Sequence, residues 1–489
     1  MEFAQKMLSA CEKEQVSNLY DALKITGLSQ DSRTVQDGFL FAALPGHTLD
    51  GRDFIEDAIK KGAKAILAPA GTEYPECVTE NNIPTIESHT PQKDLAALAA
   101  HFYGKRPENL YAVTGTNGKT SVAQFIGQLL SLKGKKAASL GTMGLKLDHE
   151  FIDTGMTTLD PIALHKTLRD VQEHAVTDLA LEASSHGLDQ DRLHGLSFKS
   201  AGFTNITQDH LDYHETMENY FQAKSRLFME LLAEDGVAVI NADSQWSDAL
   251  IQLCKQRHLT IHTYGKAGET IQILSQKATE TGQIMTLKMN GNTHDISLPL
   301  IGFFQGMNVV CAFLMAGLSE EDLPLLSQLT AISGRMEWIA KTPAGTHVYI
   351  DYAHTPDAIE TVLSSAKPHT QNELWCLFGC GGQRDATKRP LMGRAAATHA
   401  DHVILTDDNP RDEDAAAIRK QAKQGSPSAI EIDDRREAIA YGLENGKDGD
   451  VFIICGKGHE NGQIIQGITY PFHDGETVLS LLSQQRNQQ

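Results

Sequence analysis

The run Gly115-Thr116-Asn117-Gly118-Lys119-Thr120-Ser121 sets glycines, a lysine and hydroxyls between an apolar stretch and a helix-forming one. Glycines there let backbone N–H groups close on phosphate oxygens at a helix N-terminus. In such a loop Lys119 neutralises charge on the β- and γ-phosphates, and Thr120 offers a hydroxyl to Mg²⁺. The common phosphate-loop pattern has glycine where Val113 stands, so an ordinary strand-to-helix turn is the alternative. The expected ligands are ATP and magnesium.

Two further runs bring polar groups to the ends of apolar stretches. Leu179-Ala180-Leu181-Glu182 delivers a carboxylate directly before Ala183-Ser184-Ser185-His186-Gly187-Leu188. A charge at the end of a buried strand needs a partner, and a metal ion is one. Phe203-Thr204-Asn205-Ile206-Thr207-Gln208-Asp209-His210-Leu211-Asp212-Tyr213-His214 likewise discharges into histidine and aspartate. A single histidine of this kind is ordinarily structural, but several such strand ends at one sheet edge point to a site.

Positioning these groups requires parallel strands that end together. A strand at 39–43, a helix near 53–61, a strand at 65–68 and a helix opened by Thr90-Pro91 make a first small domain, bounded by Gly104-Lys105-Arg106-Pro107. A strand at 110–114 enters the loop, and a helix follows through Leu130. Apolar runs at 179–181 and 237–240 alternate with helical stretches such as 216–232, the signature of a parallel sheet. Segments 270–276, 283–289 and 295–300 alternate like antiparallel strands. From about Ser333, short apolar strands at 347–351, 374–378, 402–406, 428–432 and 451–455 are separated by helix-sized segments, a doubly wound rhythm. The expected fold is α/β in three domains, 1–104, 105–332 and 333–489, with a central P-loop ATPase-like parallel sheet and a C-terminal doubly wound, Rossmann-like domain. Ligands in such sheets bind beyond the carboxyl ends of the strands, where these motifs fall.

Composition narrows the partners. A chain of 489 residues exceeds one core. With 43 basic against 63 acidic residues, net −20, neither nucleic acid nor an anionic membrane is an expected partner. The seven cysteines, Cys11, Cys77, Cys254, Cys311, Cys376, Cys380 and Cys455, are scattered and mostly sit in apolar runs, which suits reduced, buried thiols. Cys376 and Cys380 lack a second pair at zinc spacing. The start Met1-Glu2-Phe3-Ala4-Gln5-Lys6 has no basic-then-apolar leader, and no apolar run approaches the roughly 20 residues that span a bilayer. The cytoplasm is the expected compartment.

At the loop and the strand ends the chain resembles the Mur ligase family, whose loop is Gly-Thr-Asn-Gly-Lys followed by Thr or Ser. The resemblance extends to Asp31-Ser32-Arg33, Gly46-His47 with Asp50-Gly51, Glu182 to Arg192, segment 203–226, Gly334-Arg335-Met336-Glu337 and Asp351-Tyr352-Ala353-His354-Thr355-Pro356-Asp357. It implies that ATP phosphorylates the D-glutamyl γ-carboxylate of UDP-N-acetylmuramoyl-L-alanyl-D-glutamate, and that an amino acid's amine then displaces phosphate. It implies ATP contacts at Gly115, Thr116, Asn117, Gly118, Lys119, Thr120 and Ser121, and at Asn308, Arg335, Asp351 and His354. Where the family's adenine-side motif is Asn-x-x-Asn, this chain has Gln305-Gly306-Met307-Asn308. The implied Mg²⁺ ligands are Thr120, Glu182, His210 and a carbamylated Lys224 in Tyr220-Phe221-Gln222-Ala223-Lys224-Ser225, with Lys119, Glu182, His210 and Lys224 catalytic. Read alone, Lys224 is a solvated helical lysine.

The resemblance further implies that Ser32, His47, Thr157, Thr158, Ser184, Gln190 and Arg192 hold the acceptor nucleotide. Without it, Ser32 reads as a turn residue, and Thr157 and Thr158 as helix caps before Asp160-Pro161. For the amino acid, Asp408-Asn409-Pro410-Arg411 is the form associated with diaminopimelate-adding members. It follows the strand Val403-Ile404-Leu405-Thr406, and Arg411 offers a planar fork suited to a carboxylate. An Asn-Pro turn before a helix is the alternative. Matching positions add Arg384, Gly456 and Glu460, so meso-diaminopimelate is the implied amino acid, although Gln383 replaces a usual acidic residue. The implied state is a monomer. Competing readings are L-lysine addition, a folylpolyglutamate synthetase relative, which Ser32 and His47 disfavour, and a non-catalytic nucleotide-binding regulator, which intact Lys119, Glu182, His210 and Lys224 disfavour.

Overall fold

Short apolar runs become parallel strands, and the alternation of side chains along each strand supplies both faces with core. The computed structural model describes residues 23–46, 49–147 and 150–487, so Cys11 and His47 lie outside the described residues. The chain divides into two units: one runs to Ile240 and includes Ser244–His262, and the other comprises Asn241–Asp243 and Thr263 onward.

In the first unit, strands Gly27–Ser29, Phe39–Ala42, Ala65–Pro69 and Thr85–Ser88 form a parallel sheet in that order. Leu40, Ala42, Ala65 and Leu67 pack on Leu95, Leu98 and Ala99 of the helix Pro91–Tyr103. Phe41 and Ile66 face the opposite way, onto Ile55 and Ala58 of the helix Ile55–Lys60. The second sheet of this unit runs, in spatial order, Leu232–Asn241, Phe198–Phe203, Asn109–Thr114, Asp178–Glu182 and Ala137–Gly141, all parallel. Antiparallel Gly144–Leu147 and Glu150–Ile152 then extend it.

The expected helix 216–232 is shorter. Met217–Arg226 is helical, Leu227–Leu231 widens into a π turn, and Leu232 already pairs beside Phe198 in the sheet. Leu232 is buried, so sheet pairing wins over helix continuation at that residue.

In the second unit, Ile271–Ala278, Gln283–Met289 and Asn292–Leu298 form the expected antiparallel meander, and the helix Phe303–Met315 follows. The last sheet runs Arg335–Lys341, His347–Asp351, Val451–Cys455, Leu374–Phe378, His402–Leu405 and Ile430–Glu431. Only its first strand is antiparallel. One face packs on Ile359, Val362, Met392 and Ile418, the other on Ala438, Ile439, Leu443 and Val478, so helices cover both sides. Among the described residues all cysteines are free, and no helix is long and apolar enough to cross a membrane.

Candidate active site

Three adjacent parallel strands of the first unit end together: Phe203 lies opposite Thr114, and Val113 opposite Glu182. The chain leaves Thr114 into the loop and turns into the helix Lys119–Leu132 at Gly118, whose φ of 88° is left-handed and suits glycine. The N-cap is Gly118, which has no side chain to cap the helix. The neighbouring strand end fixes the loop's shape. Thr116 N donates to the Asn205 carbonyl at 2.9 Å, and Asn117 N donates to Asn205 Oδ1 at 2.9 Å. Thr204 Oγ1 donates to the Asn117 carbonyl at 2.6 Å, and Thr207 N donates to Thr116 Oγ1 at 3.0 Å. The Asn205 amide is the brace, a role that its place in the run 203–214 does not signal.

Lys119 Nζ donates to the carbonyls of Gly115 at 3.0 Å and Thr116 at 2.9 Å. Lys224, on the helix Met217–Arg226, is only 1% exposed and donates to the Gly115 carbonyl at 2.8 Å. Its Nζ also lies 4.4 Å from the centre of the Tyr220 ring. Burial first, and then the Lys119 charge, push the Lys224 amine well below the usual lysine range, against the opposing pull of Asp209. A solvated helical lysine is therefore not what the structure contains. An ammonium cannot ligate a metal, whereas a neutral amine can add CO₂ and become an anionic oxygen donor.

Glu182 is buried and its carboxylate is held by Thr142: Thr142 N donates to Oε1 at 2.8 Å and Thr142 Oγ1 to Oε2 at 3.2 Å. A Cβ on Gly141 would stand 2.0 Å from Oε1, so the close approach needs glycine there. Thr157 Oγ1 lies 3.0 Å from Thr142 Oγ1, and Thr158 Oγ1 donates to the Glu182 carbonyl at 2.8 Å and accepts from Ser184 N at 3.0 Å. The helix Pro161–Glu173 is capped by Asp160, not by either threonine. Thr142 carried no signal as a site residue in the sequence, because Gly141-Thr142-Met143-Gly144 reads as a turn.

His210 sits at a left-handed φ of 53°, with Nε2 3.4 Å from Asp209 Oδ2. Its ring lies 4.9 Å from that of His186, which is also 5.5 Å from His214. Burial pushes His210 down to about 4, Asp209 opposing, so the imidazole is neutral. Among the described residues no three His, Cys, Asp or Glu side chains converge as a metal group. The hydroxyl of Thr120, the buried carboxylate of Glu182 and a carbamate oxygen on Lys224 are nonetheless the hard oxygen donors that Mg²⁺ takes.

On the acceptor side, Arg192 Nη1 donates to the Thr158 carbonyl at 2.7 Å, while Nη2 donates to Gln190 Oε1 at 2.7 Å. Ser184 caps the short helix Ser185–Asp189 by accepting from Gly187 N. Ser32 is buried in the turn Ser32–Thr34, and its carbonyl accepts from Lys61 Nζ at 2.9 Å.

In the second unit, Gln305 is buried; its Nε2 donates to the Arg335 carbonyl at 3.1 Å and its Oε1 accepts from Asn308 at 3.1 Å. The Arg335 guanidinium lies 4.5 Å over the Tyr352 ring. Asp351 accepts from Met336 N and Ala353 N, each at 2.8 Å, and burial raises it to about 6 against the pull of Arg335. His354 Nδ1 lies 2.9 Å from the Tyr352 carbonyl.

The Asp408–Arg411 turn follows the strand His402–Leu405. Arg411 Nη1 donates to the Gly382 carbonyl at 2.7 Å, and a Cβ on Gly381 would meet that nitrogen at 3.0 Å and Arg384 Cγ at 3.8 Å. Asn409 Nδ2 donates to Glu460 Oε2 at 2.9 Å. Lys457, fully buried, donates to the same Glu460 oxygen at 3.1 Å. A Cβ on Gly456 would stand 2.7 Å from Asp408 Oδ2. Gln383 is not idle: its Nε2 donates to Asp412 Oδ2 at 2.9 Å, and its backbone N–H is bonded to Glu413.

A phosphate-loop parallel sheet followed by a doubly wound one defines a nucleotide-using α/β enzyme. The chain matches the Mur ligase family, catalytic domain, over residues 24–103, the Mur ligase middle domain over 113–316, and the Mur ligase, glutamate ligase domain over 334–458. It is 44% identical over 468 residues to the UDP-N-acetylmuramoyl-L-alanyl-D-glutamate--2,6-diaminopimelate ligase of Caulobacter vibrioides, covering 94% of this chain and 95% of the relative. Over 445 residues it is 43% identical to the protein of the same name in Zymomonas mobilis, covering 90% of each. A solved structure of a ligase of that name, 35% identical, superposes with a TM-score of 0.69 over 94% of this chain and 95% of the other. The MurF ligase of Thermotoga maritima in complex with ADP shares the fold at 18% identity, with a TM-score of 0.61 over 95% of this chain and 99% of that one. The chain belongs to the Mur ligase family and is an ADP-forming amide ligase of three-domain α/β architecture.

Proposed function

We propose that this chain uses ATP to join meso-diaminopimelate to UDP-N-acetylmuramoyl-L-alanyl-D-glutamate in peptidoglycan precursor synthesis, as a cytoplasmic monomer. The observation that carries the reading is the meeting of three strand ends at one phosphate loop, in a chain 44% identical over 94% of its length to a ligase named for that reaction. We divide it into an acceptor-nucleotide domain, 1–104, an ATP domain, 105–332, and an amino-acid domain, 333–489.

A carboxylate is a poor electrophile. An oxygen of the γ-carboxylate attacks the γ-phosphorus of ATP, the bond to the bridging oxygen breaks and ADP departs. The resulting acyl phosphate carries a good leaving group. The neutral amine of the amino acid then attacks the acyl carbon, phosphate leaves with the C–O electron pair, and the nitrogen loses a proton.

In this reading the backbone from Gly115 to Ser121 cradles the phosphates, and Lys119 stabilises charge on the transferring group. Asn308, Arg335, Asp351 and His354 serve the nucleotide. Thr120, Glu182, His210 and carbamylated Lys224 would hold Mg²⁺, which supplies charge neutralisation at the phosphates. Carbamylation gives Lys224 a negative charge, and the depressed basicity of its amine favours that step. Ser32, His47, Thr157, Thr158, Ser184, Gln190 and Arg192 hold the acceptor nucleotide. Arg384, Asp408, Asn409, Pro410, Arg411, Gly456 and Glu460 form the amino-acid site. Arg411 meets the distal carboxylate, and Glu460 accepts from the ammonium beside it.

The deciding experiment supplies ATP and the UDP-linked dipeptide and compares phosphate release with meso-diaminopimelate and with L-lysine. Diaminopimelate-dependent release is expected. A higher kcat/KM with lysine would overturn the assignment.

A further inference from the structure

The turn that carries Arg411 is fastened by a second element that the amino-acid site does not otherwise use. Arg411 has a left-handed backbone, φ 55°, which a non-glycine residue keeps only where its surroundings impose it. The surroundings here are a small antiparallel hairpin, strands Gly462–Ile465 and Ile468–Pro471. Arg411 N donates to the Ile464 carbonyl at 3.0 Å, and the Arg411 carbonyl accepts from Gln466 N at 2.8 Å. Ile464 N donates to Asn409 Oδ1 at 2.9 Å, and Gln463 Nε2 to the Asp408 carbonyl at 2.7 Å. Each residue of the turn except Pro410 is therefore fastened from the hairpin. At the hairpin's root, Lys457 donates to the Gly462 carbonyl at 2.6 Å and contacts Asn409 Oδ1 at 3.3 Å.

The hairpin's outer strand is exposed along its whole length, so it adds little to the core. Its hydrogen bonds converge on one turn. Arg411 Nη1 is anchored on the Gly382 carbonyl, while Nε and Nη2 have no bond among the described residues and are the donors a ligand can use. Their direction follows from the backbone that the hairpin sets.

We propose that the hairpin 462–471 is a specificity-determining element of the amino-acid site: it imposes the left-handed backbone of Arg411 and so aims the guanidinium at the distal carboxylate that distinguishes diaminopimelate from lysine. This rests on the assignment of Arg411 made above. Gln463, Ile464 and Gln466 are positioning residues acting through Arg411.

Gln463→Ala deletes one fastening, and Gln463→Glu keeps the size while removing the donor. A third variant replaces residues 463–470 with a short Gly-Ser linker. Each is assayed for KM and kcat with diaminopimelate, with lysine at high concentration, and for melting temperature. The Gln463 variants are expected to raise KM for diaminopimelate about tenfold, the effect of one lost hydrogen bond on the guanidinium's aim, with lysine turnover and KM for ATP unchanged. The linker variant should lose more of the discrimination. Unchanged discrimination in the Gln463 variants, or equal losses with both amino acids, would overturn the proposal. Arg411→Ala separates the layers: if it relaxes discrimination while the hairpin variants do not, the hairpin inference alone fails. If it changes nothing, the assignment of Arg411 fails and takes the hairpin inference with it.

Discussion

The side-chain nitrogens of Lys224 and Lys119 lie 2.8 and 3.0 Å from the same oxygen, the carbonyl of Gly115. Burial first, and then the charge of the neighbouring Lys119, hold the Lys224 amine well below the usual lysine range. The Gly115 carbonyl thus meets Lys119 from its own loop and, from the helix Met217–Arg226, a second lysine of depressed basicity.

That amine should react with dissolved CO₂. Protein equilibrated with ¹³C-bicarbonate should show a carbamate carbon resonance that is missing from Lys224→Arg. Lys224→Arg should also lower kcat by about 100-fold or more, the scale of losing a charged group aimed at a transition state. Full activity in Lys224→Arg would remove the residue from the chemistry.

Glu182 depends on Thr142 for both of its side-chain hydrogen bonds given above. Thr142→Val keeps the backbone donor and loses the hydroxyl, a hydrogen bond to a charged group worth roughly 1.5 kcal/mol or more. A fall in kcat of about tenfold and a raised Mg²⁺ requirement are expected, with a melting temperature lower by only a few degrees, on the order of 2–4 °C per kcal/mol. If activity and Mg²⁺ dependence both match the parent, Thr142 does not orient Glu182.

His165, on the helix Pro161–Glu173, is 3% exposed, and its Nε2 has no hydrogen-bond partner among the described residues. Burial, helped by Arg106, pushes it down to about 4. Its folded-state pKa is thus below the unfolded value of roughly 6.5, so between these values only the unfolded chain binds the proton. The stabilising contribution is present above the unfolded value and is lost as pH falls towards 4. From pH 7 to pH 4 the parent should lose about 3 kcal/mol more stability than His165→Gln, measured by denaturant unfolding. Parallel pH profiles for the two proteins would show that His165 is not the linked group.

The parts of the fold legible from sequence are those where one local signal suffices. Gln283–Met289, His347–Asp351, Leu374–Phe378 and Val451–Cys455 fall where their apolar runs put them. The edge strand Arg335–Lys341 and the hairpin at 462–471 escaped, because edge strands are half exposed and carry little periodic signal. In the site, the loop could be seen because glycine, lysine and threonine are adjacent in the chain. The Thr142–Glu182 contact could not, since it joins residues 40 apart whose types are unremarkable alone. Lys457 was hidden between Gly456 and Glu460; its total burial is a property of the folded chain.

Thr142 and Thr158 grip Glu182 from two sides, the first by its carboxylate and the second by its carbonyl, and Thr157 touches the first through its hydroxyl. A ligand that accepts a hydrogen bond from Thr158 in place of the Glu182 carbonyl therefore changes which donors Glu182 keeps. By thermodynamic reciprocity, whatever factor that ligand changes in the affinity of a cation at Glu182, the metal site proposed above, the cation changes in the affinity of that ligand. Thr142 and Thr158 thus tie the acceptor and the metal of the proposed reaction to each other through Glu182.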